Sequence, residues 1–292
     1  MEMKRYSQIR RAIKELIYLA FGVRRSDYVH LGARVKSTLY DSEVLGLRVL
    51  RGVGQGKRCF IMGNGPSLKA IDPGPLAGEV TFGSNAIYLV KDWLGFLPTY
   101  HVTEDILVIE DRGKEISQLV GPKKFYSKRF VEKVPPNGDV VHPNIIYDYS
   151  EYRDFPAFSR NAAKRMWCGG TVSYLCLQLA YYMEYDPVIL VGFDHHYVKP
   201  SHITADGVVW TSHGDDPNHI HPEYFGKGRR WHDPRVDRME RAYMRARYEF
   251  ERVGRKVVNA TVGGRLEVFP RVDYFKIIPG AVRPANSGSS SQ

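Results

Sequence analysis

"FIMGNGPSL", residues 60–68, sets the reading of the whole chain. A run of apolar residues enters two glycines, an Asn, a Pro and a Ser, the pattern of a buried strand that stops in a turn. Gly63 and Gly65 permit tight turning and close approach of backbone. Pro66 suits a first helical position, where its missing N–H is no loss. A helix start of this kind has backbone N–H groups open to an anion. The turn is neither the GxxxxGK[ST] phosphate loop nor the GxGxxG dinucleotide fingerprint, and no Lys-Ser/Thr pair follows it. An ordinary strand-to-helix turn is the plainer alternative, since Gly, Asn and Pro are common in turns.

The pattern outward from that turn alternates. "EVTFGSN" (79–85), "TYHVTED" (99–105), "KKFYS" (123–127), "NIIYDY" (144–149), "PVILVGFD" (187–194) and "KVVNAT" (256–261) read as strands. "ILVIEDRGKEISQLV" (106–120), "TVSYLCLQLAYYMEY" (171–185) and "RVDRMERAYMRARYEFERVG" (235–254) read as helices, the last with Gly254 at its C-terminal cap. Strand–helix alternation predicts an α/β fold: a Rossmann-like domain with a mostly parallel sheet and helices on both faces. In such sheets ligands bind beyond the C-terminal ends of the strands. Those ends carry "GNGPS", "GSN", "TED" and "GFDHH".

The boundaries follow composition. Residues 1–45 form a basic arm whose segment 4–21, "KRYSQIRRAIKELIYLAF", has Ile9, Ile13, Leu16, Ile17 and Ala20 at helical spacing. Such a helix can lie on an anionic membrane or dock on the domain with its charges solvated. Residues 46–278 hold the strand–helix pattern, and 279–292, ending "NSGSSSQ", read as a disordered tail. No run approaches the ~18 apolar residues of a membrane span. The net charge of +10 fits an anionic partner. No zinc-finger spacing, RNP motif or helix-turn-helix cue points to nucleic acid. Three cysteines without a CxxC pair suggest a reducing cytosol, and the expected location is cytoplasmic, with the inner membrane face as a site of peripheral binding. Self-association into a homo-oligomer is left open.

Seven of the ten histidines fall between His195 and His232, in a segment that reads as a long loop and so as a lid. No HxxxH or HExxH spacing occurs there, so convergence on a metal is not enforced. One of these histidines can instead serve as a general base near neutral pH.

Taken in order, the strand into "GNGPSL", the strand ending in Asn85, "TVSY" opening a helix, "VILVGFD", and "HDPRVD" before the long helix resemble the bacterial sialyltransferases of glycosyltransferase family 42. They also resemble Maf-type flagellin glycosyltransferases and archaeal 6-hydroxymethylpterin diphosphokinases. The resemblance covers roughly residues 57–275. It implies a nucleotide-sugar site with Gly63, Asn64, Gly65, Ser67, Asn85, Thr171 and Asp194 on the donor nucleotide, and His232 as the base of an inverting transfer from a CMP-activated acidic sugar to a glycan or protein. No obligatory metal is implied. The sequence departs from the sialyltransferases where two tyrosines would steady the leaving phosphate; His196, Tyr197 and His202 stand at or near those positions. Arg229 and Arg230 can hold a phosphate or an anionic acceptor. Glu104 and Asp105 replace a neutral residue, and in the diphosphokinase alternative they would bind Mg²⁺ on ATP. A third alternative is a non-catalytic module that binds a nucleotide sugar or a protein partner.

Overall fold

A computed structural model of the chain describes residues 46–135, 139–147, 156–199 and 209–284. The basic N-terminal arm, His202 and the tail beyond residue 284 lie outside the described residues. The strands are β1 Cys59–Met62, β2 Thr81–Ser84, β3 Tyr100–Thr103, β4 Lys123–Tyr126, β5 Val140–Val141, β6 Ile145–Ile146, β7 Met166–Trp167, β8 Val188–Val191, β9 Val209–Thr211, β10 Arg230–His232 and β11 Val257–Asn259. The helices are α1 Lys91–Leu94, α2 Ile106–Ser117, α3 Val172–Tyr182, α4 Val236–Glu251 and α5 Tyr274–Ile277.

Seven strands form one sheet in the order β11-β8-β1-β2-β3-β4-β5. Every pairing in it is parallel. The fold is therefore α/β and Rossmann-like, as the alternation predicts. From β1 the chain steps outward through β5, then returns to lay β8 on the other flank of β1. The strand order reverses between β1 and β8, and that crevice is where open α/β sheets take ligands.

Both faces of the sheet are covered, which explains why the central strands read as unbroken apolar runs. Side chains alternate along β1. Cys59 and Ile61 pack with Leu175 and Leu179 of α3 and Ala242 and Phe250 of α4. Phe60 and Met62 face the other way, onto Leu68, Leu76, Ile87 and Tyr274. Ile109 and Ile116 of α2 close a third cluster around Tyr126 and Phe130. Each fully buried side chain of this size stabilises the fold by roughly 1.5–3 kcal/mol. The cysteines are free and buried. No helix among the described residues is long and apolar enough to cross a membrane.

Four local expectations change. Pro66 opens a five-residue 3-10 turn, Pro66–Ala70, rather than an α-helix. "NIIYDY" does not join the main sheet; Ile145 and Ile146 pair instead with Met166 and Trp167. The outer strand is Val140–Val141, too short to leave a period-2 signal. Finally, the presumed lid is not all loop. β9 and β10 form an antiparallel pair with Trp210 opposite Trp231, their rings edge to face at 4.7 Å.

Candidate active site

Two turns meet in the β1/β8 crevice. A Cβ on Gly63 would run into the Gly192 carbonyl oxygen, and one on Gly65 into the Asp194 carboxylate. A Cβ on Gly192, whose φ is +76°, would lie 2.8 Å from the Gly63 carbonyl oxygen. These glycines are required by the contact between the two turns.

The sequence predicts backbone N–H groups here that are open to an anion; the structure engages them. Gly63 donates to the Val191 carbonyl at 2.7 Å and Gly65 to the Gly192 carbonyl at 3.1 Å. The Ser67 N–H donates to the Asp194 carboxylate at 3.2 Å and its hydroxyl at 2.6 Å. Asp194 thus ties the first turn to the end of β8.

The next layer is amide-rich. Asn64 Nδ2 donates to Ser84 Oγ at 3.1 Å and to Tyr224 Oη at 3.0 Å. Asn85, just past β2, sits at φ +51°, a left-handed conformation that Asn tolerates. The Oδ1 atoms of Asn64 and Asn85 are buried without a hydrogen-bond partner. Both residues line the cleft. A buried acceptor without a partner is destabilising by about 1–3 kcal/mol.

Across the cleft, the end of β3 meets β10. Asp105 caps α2, its Oδ1 accepting from the Leu107 N–H at 2.8 Å. Its Oδ2 lies 3.1 Å from His232 Nδ1. That hydrogen bond raises the His232 pKa above its ordinary value against the opposing effect of burial, and the Asp105 charge adds to it. Glu104 beside it is buried, and burial followed by the Asp105 charge pushes its carboxyl up to about 8. Glu104 is therefore largely protonated at neutral pH.

Glu104 should make the fold pH-sensitive. Its folded pKa is raised, so its contribution is fully present below its ordinary pKa of 4.5 and lost as pH rises toward about 8. Glu104→Gln should therefore flatten the fall in melting temperature between those limits and stabilise the protein at pH 8–9 by on the order of a few kcal/mol. Calorimetry across that range checks it. An unchanged slope would show that Glu104 is charged in the folded protein.

No protein-family model matches the chain. No curated protein matches it. Among solved structures it is similar to a glycosyltransferase. That structure is the MAf glycosyltransferase from Magnetospirillum magneticum AMB-1, at 14% identity and a TM-score of 0.47. The match covers 80% of this chain and 38% of the other, a distant structural likeness to a protein much longer than this one.

Most of the sequence-derived candidates share the cleft. Gly63, Asn64, Gly65, Asn85, Glu104, Asp105, Thr171, Asp194, His196, Tyr197 and His232 all line it. Thr171 also caps α3, its hydroxyl accepting from the Ser173 N–H. Tyr197 donates to Met239 Sδ at 3.9 Å. Ser67 acts through Asp194. Arg229 and Arg230 are not among the lining residues. Arg229 donates to the Asp111 carbonyl at 2.8 Å, and Arg230 pairs with Glu110 at 3.0 Å and Asp111 at 3.1 Å. Both side chains thus reach α2, and no described Lys or Arg side chain lines the cleft. Asp105 accepts from the Leu107 N–H through one oxygen and faces His232 Nδ1 with the other, and Glu104 lines the cleft beside it. Among the described residues no group of three His, Cys, Asp or Glu side chains is arranged to hold a metal ion.

Sequence reasoning missed His219 and Tyr224, which also line the cleft. The signal available was the three-residue spacing of Asp216 and His219 in "DDPNHIH".

Proposed function

We propose that the chain is an inverting glycosyltransferase that moves an acidic, sialic-acid-like sugar from a CMP-activated donor to a hydroxyl of a glycan or protein. The observation that carries this reading is the His232–Asp105 pair at the edge of the β1/β8 crevice. Asp105 holds a proton on Nδ1, so the Nε2 lone pair is the one presented to the acceptor. As the acceptor oxygen bonds to the anomeric carbon, His232 Nε2 takes its proton. The bond from that carbon to the phosphate oxygen breaks, and its electron pair leaves on CMP. Asn64, Asn85 and Thr171, which line the cleft, hold the nucleotide. The protonated Glu104 removes the repulsion that a second carboxylate would exert on an acidic sugar. The ordered motif set from residue 60 to residue 237 supports the same reading.

The test is thermal shift with CMP, CDP, UDP, GDP and ATP, each with and without Mg²⁺. A ligand that binds only the folded state raises the melting temperature, by about 2.7 kcal/mol of added stability at 100 times its Kd. CMP and CDP are expected to stabilise without metal. Stabilisation by ATP with Mg²⁺ alone would replace this reading with pyrophosphate transfer. Tight binding of CMP without transfer or hydrolysis of any CMP-sugar would leave a binding module.

A further inference from the structure

A second clamped histidine stands in the same cleft. His219 Nδ1 lies 2.7 Å from Asp216 Oδ2. Asp216 is 7% exposed and accepts as well from the N–H groups of Asn218 at 2.8 Å and Phe225 at 2.9 Å. Burial opposes its charge, but the hydrogen bonds from His219 and these amides hold its carboxyl below the usual range. The His219 ring stacks on Tyr224 with centroids 4.1 Å apart and planes 4° from parallel, and the Phe225 ring meets it edge-on at 5.2 Å. One nitrogen and one ring face are thus fixed, and Nε2 carries no hydrogen bond among the described residues.

Its place in the fold is set by the opening turn. The Ile220 N–H donates to the Asn64 carbonyl at 2.7 Å, and Tyr224 Oη accepts from Asn64 Nδ2. The stacked pair therefore borders the β1/β8 crevice. A phosphate entering there meets the Asp194 carboxylate, turn N–H groups already engaged, and no described Lys or Arg. Among the described lining residues, the side chains able to carry a positive charge are histidines. His195 is bonded to Glu240 at 3.3 Å and His232 serves as the base; of the two that remain, His196 and His219, His219 is the one oriented by both a carboxylate and a ring stack.

We propose that His219 is a second catalytic histidine, whose protonated Nε2 donates to the phosphate oxygen that departs with the nucleotide. Asp216 is its positioning residue. The inference rests on the glycosyl-transfer reading. In the balanced step, His232 gains the acceptor's proton and His219 gives one to the phosphate as the carbon–oxygen bond breaks. Both histidines are reset by exchange with solvent.

The test compares CMP with cytidine by calorimetric titration on the wild type, His219→Gln and Asp216→Asn. His219→Gln should weaken CMP binding by roughly 10–100-fold, the usual effect of losing a charged hydrogen bond, and leave cytidine binding within about twofold. Asp216→Asn should show the same phosphate-specific loss in smaller measure. With a CMP-sugar donor, kcat of His219→Gln should fall by about 100-fold or more. Equal CMP affinity and kcat in wild type and His219→Gln would overturn the role of His219 while leaving the glycosyltransferase reading intact. A wild type that binds neither CMP nor cytidine would overturn both. Parallel losses for CMP and cytidine would make His219 a structural residue.

Discussion

His232→Gln is expected to lower turnover by roughly 10²–10⁴-fold and leave CMP affinity within about twofold. Gln keeps a polar side chain of similar reach but cannot accept a proton at neutral pH. The His232 side chain is 44% exposed at the end of β10, so its replacement leaves no cavity. Steady-state kinetics on a CMP-sugar, paired with titration of CMP, separates the two quantities. The partner substitution gives the sign. The base works in its neutral form, so activity should rise with pH through the His232 pKa, which Asp105 raises. Asp105→Asn removes that influence and should move the acidic limb of the pH profile to lower pH. Asn is also a good helix N-cap, so α2 keeps its start. Full turnover in His232→Gln would remove it as the base. An acidic limb that stays put in Asp105→Asn would detach the limb from this pair.

The largest effect on stability is expected from Gly63→Ala. The added methyl meets the backbone of Gly192 and the Phe193 ring, and neither is the free end of a flexible side chain. Relief requires separating β1 from β8 at the centre of the sheet. A loss of about 3 kcal/mol or more is expected, which for a protein of this size is a drop of roughly 6–12 °C in melting temperature. Gly78→Ala is the control: its Cβ would meet nothing within 4 Å and its φ is not left-handed. That change should fall within about 0.5 kcal/mol of the parent. If the two substitutions melt alike, the turns are not in contact as described.

The sequence carries the sheet because its central strands are four-residue runs, buried on both faces and separated by helices of amphipathic or buried pattern. β5 escapes notice because two valines make no pattern. The glycines of the opening turn are visible, but their reason is not. They face Gly192 and Asp194, and the Ser67–Asp194 bond spans 127 positions. The His232–Asp105 bond spans 127 positions too. Each residue is suspect on its own, as a histidine before a helix and an acid after a strand, yet only the fold pairs them. Arg229 and Arg230 show the converse: local charge marks them as phosphate holders, whereas the structure sets Arg229 on the Asp111 carbonyl and pairs Arg230 with Glu110 and Asp111 on a helix far away in sequence. His219 was legible in principle, because its partner lies three residues away.

The locking of the two turns also bears on how this architecture can diversify. Gly63 and Gly192 each occupy the space the other's side chain would need, so neither position can vary alone, and Asp194 fastens the same joint. The floor of the crevice is inherited as a block. Changes in what the protein accepts would then accumulate on the opposite bank, among residues 209–231 other than His219, where side chains can be exchanged without prying the central strands apart.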